Sequence, residues 1–160
     1  AHFTGLYHDE YGLPTKKPGM IDEQLRRIHA KLETPEAKED ILKTEKFMIE
    51  DADVIVVAYG ITSRAAKDAV INARRAGINA GLLRPVTLWP SDGKTFIENF
   101  STAKKIIVPE LNLGMYIGEI KQLAFEMAIK VQKIPPEVVG LNRVDTLLIS
   151  PKDIYEEILK

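Results

Sequence analysis

The sequence contains no cysteine among its 160 residues. This absence excludes disulfide bonds, thiolate zinc sites, a cysteine nucleophile and iron–sulfur clusters held by cysteine on this chain. A domain of this length buries roughly 68–70% of the surface of its unfolded chain, so it can fold without such cross-links.

An excess of one charge and long apolar runs are also missing. The 22 basic and 23 acidic side chains give a net charge of −1, which argues against an electrostatic surface for nucleic acid. No apolar run approaches the roughly 18 residues that cross a membrane. We therefore expect a soluble, cytoplasmic protein whose partners include neither nucleic acid nor a membrane.

The first 20 residues are rich in turn-forming residues, whereas the remainder has the pattern of one domain. Phe3, Tyr7 and Tyr11 stand among glycines and prolines, and exposed aromatic side chains in such a segment are expected to pack against a partner. The chain begins at Ala1 rather than methionine. We expect an extended arm or linker over residues 1–20, a single α/β domain over residues 21–160, and a longer parent chain.

Helical patterns alternate with short, β-branched runs along most of the chain. Two helices are predicted first, over Met20–Glu33 and over 35–46. Continuously apolar strands, each followed by a helix, favour a parallel sheet covered on both faces. We predict a three-layer α/β/α fold with a mostly parallel sheet. The predicted strands cover residues 53–59, 79–84, 104–109 and 137–141.

Capping residues predict several helix boundaries. Thr62 or Ser63 is expected to cap the helix after the first strand, and Gly77 is expected to end it. Ser150, followed by proline and by Asp153 as an acidic third residue, predicts the start of the last helix.

The turn after the first predicted strand contains Gly60 and Thr62. A glycine followed by hydroxyl side chains at a helix N-terminus could hold an anion on backbone N–H groups. The turn lacks the glycine spacing of a dinucleotide site and the lysine of a phosphate loop. A tight turn leading into a capped helix is the simpler interpretation.

The next two turns also contain candidate residues, because ligands of such sheets bind beyond the carboxyl ends of the strands. Arg84 leads into the second turn, where Trp89 fits either an interface or the core. Glu110, Asn112 and Gly114 form the third turn. The carboxylate could serve in acid–base chemistry, but capping the next helix or bonding to neighbouring turns is favoured.

The histidines give little support for a metal site. His2 and His8 lie in the arm, and Asp9 and Glu10 follow His8, but adjacent residues of an extended segment point to opposite sides. His29 lies on a polar helix face. We therefore expect no metal site on this chain.

Five strings in order resemble one family, the alpha subunits of 2-oxoacid:ferredoxin oxidoreductases. The resemblance covers nearly the whole chain and is greatest to the branched-chain 2-oxoacid and 2-oxoglutarate members. The strings are Thr4–Thr15 (TGLYHDEYGLPT), Ala52–Gly60 (ADVIVVAYG), Gly81–Pro90 (GLLRPVTLWP), Val108–Gly114 (VPELNLG) and Val139–Asp145 (VGLNRVD).

The resemblance implies an enzyme that oxidatively decarboxylates a 2-oxoacid with coenzyme A, giving an acyl-CoA while reducing ferredoxin. It also implies thiamine diphosphate, magnesium and iron–sulfur clusters in the full complex. This chain resembles only the C-terminal, transketolase-like domain, which has about five strands, one of them antiparallel. An edge strand near Phe47–Ile49 is the expected fifth strand.

The family's substrate-binding part is absent, so no catalytic or cofactor-binding residue is assigned. The candidates for an interface or structural role are His8, Asp9, Gly60, Thr62, Arg84, Trp89, Glu110, Asn112 and Gly114. Expected partners are the N-terminal domain of the same subunit, the beta and other subunits, ferredoxin and a second copy in a homo-oligomer.

Two other hypotheses stay open at this point. One is a free-standing module that binds an anion or nucleotide at the Gly60 turn. The other is the equivalent C-terminal domain of a different thiamine enzyme, such as a transketolase, although the arm beginning at Gly5 argues against it.

Overall fold

The computed structural model describes residues 5–160; His2, Phe3 and Thr4 lie outside the described residues. The chain divides into two compact units, Ala1–Ile41 and Leu42–Lys160. The predicted domain boundary after residue 20 falls inside the first unit and stays a prediction. Within residues 5–160, the helices are too short or too polar to cross a membrane.

The first unit contains a small hairpin and two helices. Strands β1 (Tyr7–His8) and β2 (Pro14–Thr15) pair antiparallel, and helices α1 (Pro18–Ala30) and α2 (Pro35–Ile41) follow. Both helices begin at a proline, which suits the first turn because it needs no backbone N–H there. Neither helix contains a buried residue.

The second unit alternates strands and helices around one five-stranded sheet. The spatial order of the strands is β3-β5-β4-β6-β7, with only β3 antiparallel to its neighbour. Its elements are β3 (Thr44–Phe47), β4 (Val54–Val57), α3 (Thr62–Arg75), β5 (Ala80–Pro85), α4 (Gly93–Phe100), β6 (Lys105–Glu110), α5 (Ile117–Val131), β7 (Glu137–Asn142) and α6 (Pro151–Ile158).

Both faces of the sheet are covered, which confirms the three-layer prediction. Alternate residues of β4 point to opposite faces: Ile55 and Val57 pack in the core beneath α4 and α5, whereas Val56 packs in the core beneath α3 and α6. All three side chains are completely buried, which explains why the central strands are apolar throughout rather than alternating.

The segment before the first predicted strand differs from its prediction. The predicted helix over 35–46 ends at Ile41, and β3 pairs antiparallel with β5 from Thr44 to Phe47. The predicted edge strand therefore exists, but it begins earlier than expected. Its two central residues, Glu45 and Lys46, are exposed, and such charge on an edge strand hides its β character from a hydrophobicity pattern.

Two predicted helix boundaries are confirmed and one is wrong. The left-handed Gly77 (φ +82°) follows α3, and Ser150 with Asp153 forms a reciprocal capping box at α6. No side chain caps α3, however: its N-cap is Ile61, and the Ser63 hydroxyl donates to the Gly60 carbonyl instead (2.7 Å).

The loop between β3 and β4 packs tightly on the start of β5. The Arg74 guanidinium donates to both carboxylate oxygens of Asp51 (2.6 and 2.9 Å) and to the Met48 carbonyl (2.7 Å). A Cβ on Gly81 would stand 2.7 Å from the Met48 oxygen and 3.0 Å from the Ala52 Cβ. Glycine is therefore the only residue that fits this strand position without displacing backbone.

Gly81→Ala should lower the free energy of unfolding by about 1–3 kcal/mol, because the added methyl group overpacks a backbone contact. Gly118→Ala is the matched control, since a Cβ there meets nothing within 4 Å and alanine favours a helix. Chemical denaturation of both variants measures the difference. Equal stabilities would contradict this account of Gly81.

Glu157 links α6 to the start of β6 and should make stability depend on pH. Its carboxylate accepts hydrogen bonds from Lys160 (2.8 Å) and Lys105 (3.0 Å). The Lys160 ammonium, followed by that of Lys105, holds the pKa of Glu157 below its usual 4.5 against the opposing effect of burial. Because the pKa of Glu157 is lower in the folded than in the unfolded chain, the ionised carboxylate stabilises the fold above pH 4.5. This contribution is lost as the pH falls through the pKa of Glu157 in the folded state.

Glu157→Gln should therefore lower the free energy of unfolding at neutral pH, and its difference from the wild type should shrink on acidification below about pH 4.5. Denaturation series at several pH values measure this difference. Glu156→Gln is the control, because Glu156 forms an exposed pair with Lys152, and such pairs contribute little. A difference that stays constant with pH would contradict the assignment.

Candidate functional site

Most of the predicted site residues lie at the carboxyl ends of the parallel strands. We call the loops after β4, β5, β6 and β7 the carboxyl edge; they cover residues 58–61, 86–92, 111–116 and 143–150. Because parallel strands end on the same side of a sheet, turns that are distant in sequence meet there.

Glu110, the last residue of β6, is the buried centre of the carboxyl edge. Its side chain is 1% exposed. Oε1 accepts hydrogen bonds from the Tyr59 hydroxyl (3.0 Å), the Asn112 amide (3.2 Å) and the Tyr116 N–H (2.8 Å). Oε2 accepts from the Ile117 N–H (3.1 Å). The carboxylate therefore caps the start of α5, the structural role that the sequence favours, where the helix dipole also stabilises negative charge.

Asn112 completes the turn around Glu110. Its amide nitrogen also donates to the Tyr59 hydroxyl (3.1 Å), and its carbonyl oxygen accepts from the N–H groups of Gly114 and Met115 (both 2.8 Å). Gly114 adopts φ +93°, which glycine allows at no steric cost. The predicted trio of Glu110, Asn112 and Gly114 therefore forms one hydrogen-bonded turn.

Two tyrosines and one asparagine that the site predictions did not include belong to the same network. The Tyr59 and Tyr116 rings meet edge to face at 5.5 Å, and the Asn142 amide donates to the Asn112 carbonyl (3.0 Å). Burial, followed by the Glu110 carboxylate, raises the pKa of Tyr59, and burial raises the pKa of Tyr116 to about 12. Tyr59 follows β4, Tyr116 lies in the loop after β6, and Asn142 ends β7. These positions at the ends of strands are the sequence signal by which the three residues could have been predicted.

Gly60 and Thr62 lie at the same edge without forming a built anion site. Gly60 takes up φ +56°, as its turn requires. Thr62 is buried at the first position of α3, and the neighbouring Ser63 hydroxyl is engaged by Gly60. The tight turn predicted from the sequence is present, without the predicted side-chain cap.

Arg84 and Trp89 have different environments. The Arg84 guanidinium pairs with Glu45 on β3 (3.0 Å), so it bridges two strands rather than joining the Glu110 network. Trp89 is 67% exposed. The core interpretation of Trp89 is therefore wrong, and an interface stays its predicted role.

His8 and Asp9 stabilise the hairpin of the first unit. The Gln24 side chain donates to the His8 carbonyl. The Asp9 carboxylate accepts from the N–H groups of Tyr11 (3.0 Å) and Leu13 (2.9 Å), closing the turn between β1 and β2 in the manner of an Asx turn. Between residues 5 and 160, no three histidine or carboxylate side chains stand close enough to hold a metal ion.

The loops of the carboxyl edge expose many large apolar side chains. Leu113 and Met115 are 84% and 79% exposed, although they flank the buried turn around Glu110. Several large apolar side chains exposed in loops at one edge of a sheet are typical of an interaction surface. The other large apolar side chains exposed in these loops are Ile61, Val86, Leu88, Trp89, Leu111, Val144, Leu147 and Leu148.

A groove of about 360 Å³ runs between the start of α3 and the start of α6. Its walls include Ile61, Leu111 and Leu148, and its polar side chains include Arg64 and Asp68. The geometry suits contact with another polypeptide more than catalysis, because the buried Glu110 carboxylate, adjacent to Leu111 in the chain, has both oxygens engaged by internal donors.

Glu110→Ala should destabilise the second unit by about 3 kcal/mol or more, because it leaves several donors unpaired in a buried site and opens a cavity. Glu98→Ala is the control, since Glu98 is an exposed residue of α4. Thermal and chemical denaturation measure both variants. A loss below about 1 kcal/mol would show that the network does not depend on this carboxylate.

Comparison with protein families and curated proteins gives consistent matches. Residues 52–154 match the family "Pyruvate:ferredoxin oxidoreductase core domain II". The chain is 34% identical over 159 residues to 2-oxoglutarate synthase subunit KorA of Methanocaldococcus jannaschii, covering 99% of this chain and 40% of the relative. It is 32% identical over 121 residues to ketoisovalerate oxidoreductase subunit VorB of Methanothermobacter thermautotrophicus, covering 76% and 32%. The chain thus spans less than half the length of these relatives.

Two solved structures with a similar fold agree with these sequence matches. A 2-oxoglutarate:ferredoxin oxidoreductase from Magnetococcus marinus, solved with 2-oxoglutarate, coenzyme A and succinyl-CoA bound, aligns with a TM-score of 0.70 and 25% identity, covering 98% of this chain and 26% of that one. A split-gene transketolase, described as an inactive beta4 tetramer, aligns with a TM-score of 0.60 and 20% identity over 73% of this chain and 40% of that one, which shows the fold alone. These matches confirm the resemblance seen in the sequence strings, and the chain belongs to the pyruvate:ferredoxin oxidoreductase core domain II family.

Proposed function

We propose that this chain is the C-terminal domain of the alpha subunit of a 2-oxoacid:ferredoxin oxidoreductase and that it serves assembly rather than chemistry. The whole enzyme would oxidatively decarboxylate a 2-oxoacid, branched-chain or 2-oxoglutarate, to an acyl-CoA and reduce ferredoxin. The names of the KorA and VorB relatives support this substrate class.

The contrast between the two sides of the carboxyl edge carries the proposal. The polar groups around Glu110 bond to one another, and the carboxylate is 1% exposed, which shields it from a substrate. The apolar side chains of the same loops, such as Leu113 and Met115, are exposed. A rigid polar centre beneath an apolar exterior suits a surface that another polypeptide covers.

The donor set argues against a cofactor site on this chain. Thiamine diphosphate with magnesium needs oxygen ligands for the ion, but the buried Glu110 carboxylate is committed to holding α5. Iron–sulfur clusters are held mainly by cysteine, and the chain has none. We therefore assign thiamine diphosphate, magnesium and the clusters to other parts of the full complex.

The proposed partners follow from this assignment. The N-terminal part of the same subunit and the beta and other subunits would cover the carboxyl edge, ferredoxin would accept electrons from the holoenzyme, and the location would be the cytoplasm. A free-standing anion-binding module is not favoured, because the family match accounts for most of the second unit and the Ser63 hydroxyl is engaged at the Gly60 turn.

Replacing Leu113 and Met115 together by lysine should weaken assembly. Placing two cations in an apolar contact should lower recovery of the complex at least about tenfold, equivalent to about 1.4 kcal/mol. The measurement is co-purification of the full-length alpha subunit with its beta subunit, together with 2-oxoacid-dependent ferredoxin reduction.

The matched control is Leu159→Lys, at an exposed apolar residue just after α6 and outside the carboxyl edge. Both proteins should keep the wild-type melting behaviour, since the substituted side chains are exposed. An edge variant that assembles normally would overturn the assembly role. Normal assembly with lost activity would instead assign chemistry to this surface.

A further inference from the structure

A second cavity lies beside α3, against the strands β3 and β5. Its volume is about 270 Å³, and its lining includes Phe47 of β3, Leu82 of β5 and Ser63 of α3. Phe47 and Leu82 are paired across the two strands, and both belong to the apolar core beneath α3. The cavity therefore opens on the face of the sheet that α3 covers.

Three cationic side chains line this cavity. Arg64 and Lys67 are three residues apart on α3, so they are neighbours on one side of the helix, and Arg84 stands on β5. The Lys67 ammonium lies 4.8 Å from the centre of the Phe47 ring, which places it on the side of α3 that faces β3. Glu45 is the acidic residue of the lining, and it pairs with Arg84 (3.0 Å).

The two cations of α3 have no acidic partner of their own. Within residues 5–160, neither Arg64 nor Lys67 forms an ion pair, and both side chains are exposed. Asp68, one turn beyond Arg64, lines the groove towards α6 rather than this cavity. Arg74 of the same helix, in contrast, is held by both carboxylate oxygens of Asp51.

The excess of positive charge is local. Lys46 also lines the cavity, but it alternates with Glu45 and Phe47 on β3, so its side chain points to the other face of the sheet. Three cations therefore face one carboxylate, in a chain whose net charge is −1. Such a local excess of one sign in a concave site attracts an anion.

We propose that this cavity, which we call the basic pocket (Glu45, Phe47, Arg64, Lys67 and Arg84), binds the phosphate groups of a small molecule that carries two or more negative charges. A guanidinium group can donate two parallel N–H bonds to phosphate oxygens, and an ammonium group adds a point charge. The ligand groups are side chains of α3 and β5, not backbone N–H groups of the Gly60 turn.

The size of the basic pocket favours a diphosphate. Its volume of about 270 Å³ lies just below the roughly 300–1,000 Å³ of pockets for drug-sized ligands. An inorganic diphosphate, or the diphosphate end of a larger molecule, suits this volume. The inference does not depend on the assembly role proposed above.

The pair between Arg84 and Glu45 gives the basic pocket a competing internal anion. The two side chains are 42% and 62% exposed, and exposed pairs contribute little to stability. A phosphate group can therefore take over the Arg84 guanidinium at small cost. Removing the Glu45 charge should strengthen binding, whereas general damage to the fold would weaken it.

Isothermal titration calorimetry of the full 160-residue chain with sodium pyrophosphate tests the inference. The wild type should bind saturably and more weakly at high salt. Arg64→Gln and Lys67→Gln should each weaken binding at least about tenfold, because each removes a hydrogen bond between charged groups. Glu45→Gln should bind more tightly than the wild type.

The matched control is Arg75→Gln, which removes the same charge from an exposed residue of α3 outside the basic pocket and should leave the affinity unchanged. Circular dichroism melts check that each variant is folded, as expected for exposed positions. A parallel titration with ADP distinguishes the two sources of the diphosphate. Tighter binding of ADP would assign an organic diphosphate, and equal or weaker binding would assign the inorganic anion.

Three results would contradict the proposal. One is a wild type that binds neither pyrophosphate nor ADP. Another is binding that Arg75→Gln weakens as much as Arg64→Gln does, since the anion would then respond to overall charge alone. The third is binding of a polyglutamate peptide without binding of pyrophosphate, which would make the basic pocket a contact for an acidic protein.

Discussion

The Glu110 carboxylate joins segments that are far apart in the sequence. It fixes Tyr59 beyond β4, the turn at Asn112 and the first N–H groups of α5. A buried carboxylate is tolerated only when hydrogen bonds replace its lost hydration, so the positions of these segments depend on one another. The exposed Leu113 and Met115 lie in the turn between two of these partners, Asn112 and Tyr116, so the network fixes the turn that presents them.

The central architecture could be predicted because its local signals agree with one another. Strands such as β4 are apolar throughout and are followed by helices with one apolar stripe, which requires a sheet covered on both faces. The strand β3 could not be found in this way, because Glu45 and Lys46 face solvent and pairing with β5 decides its conformation. The predicted side-chain cap of α3 was wrong for a similar reason. The Ser63 hydroxyl donates to the Gly60 carbonyl, which precedes it, instead of accepting from an N–H group of the helix.

The site could be predicted only in part. Glu110, Asn112 and Gly114 share one turn, so the sequence placed them together. Tyr59 and Asn142 lie at strand ends, which the sequence indicates, but they reach that turn because β4 and β7 pair with β6, and the sequence pattern does not give that strand order. The exposure of Trp89 could not be predicted from the sequence either, because an aromatic residue beside prolines is compatible with a core and with an interface. Burial is a property of the folded surroundings rather than of a short string.

The position of β3 has a consequence for synthesis of the chain. β3 is the first strand of the large sheet to be made, yet its partner is β5 and not the following strand β4. Until β5 leaves the ribosome, the β3 segment has no hydrogen-bonding neighbour in the sheet. Closure of the loop that contains β4 and α3 must therefore precede this pairing. The charges of Glu45 and Lys46 keep the waiting segment hydrated and disfavour its pairing with other chains in the interval.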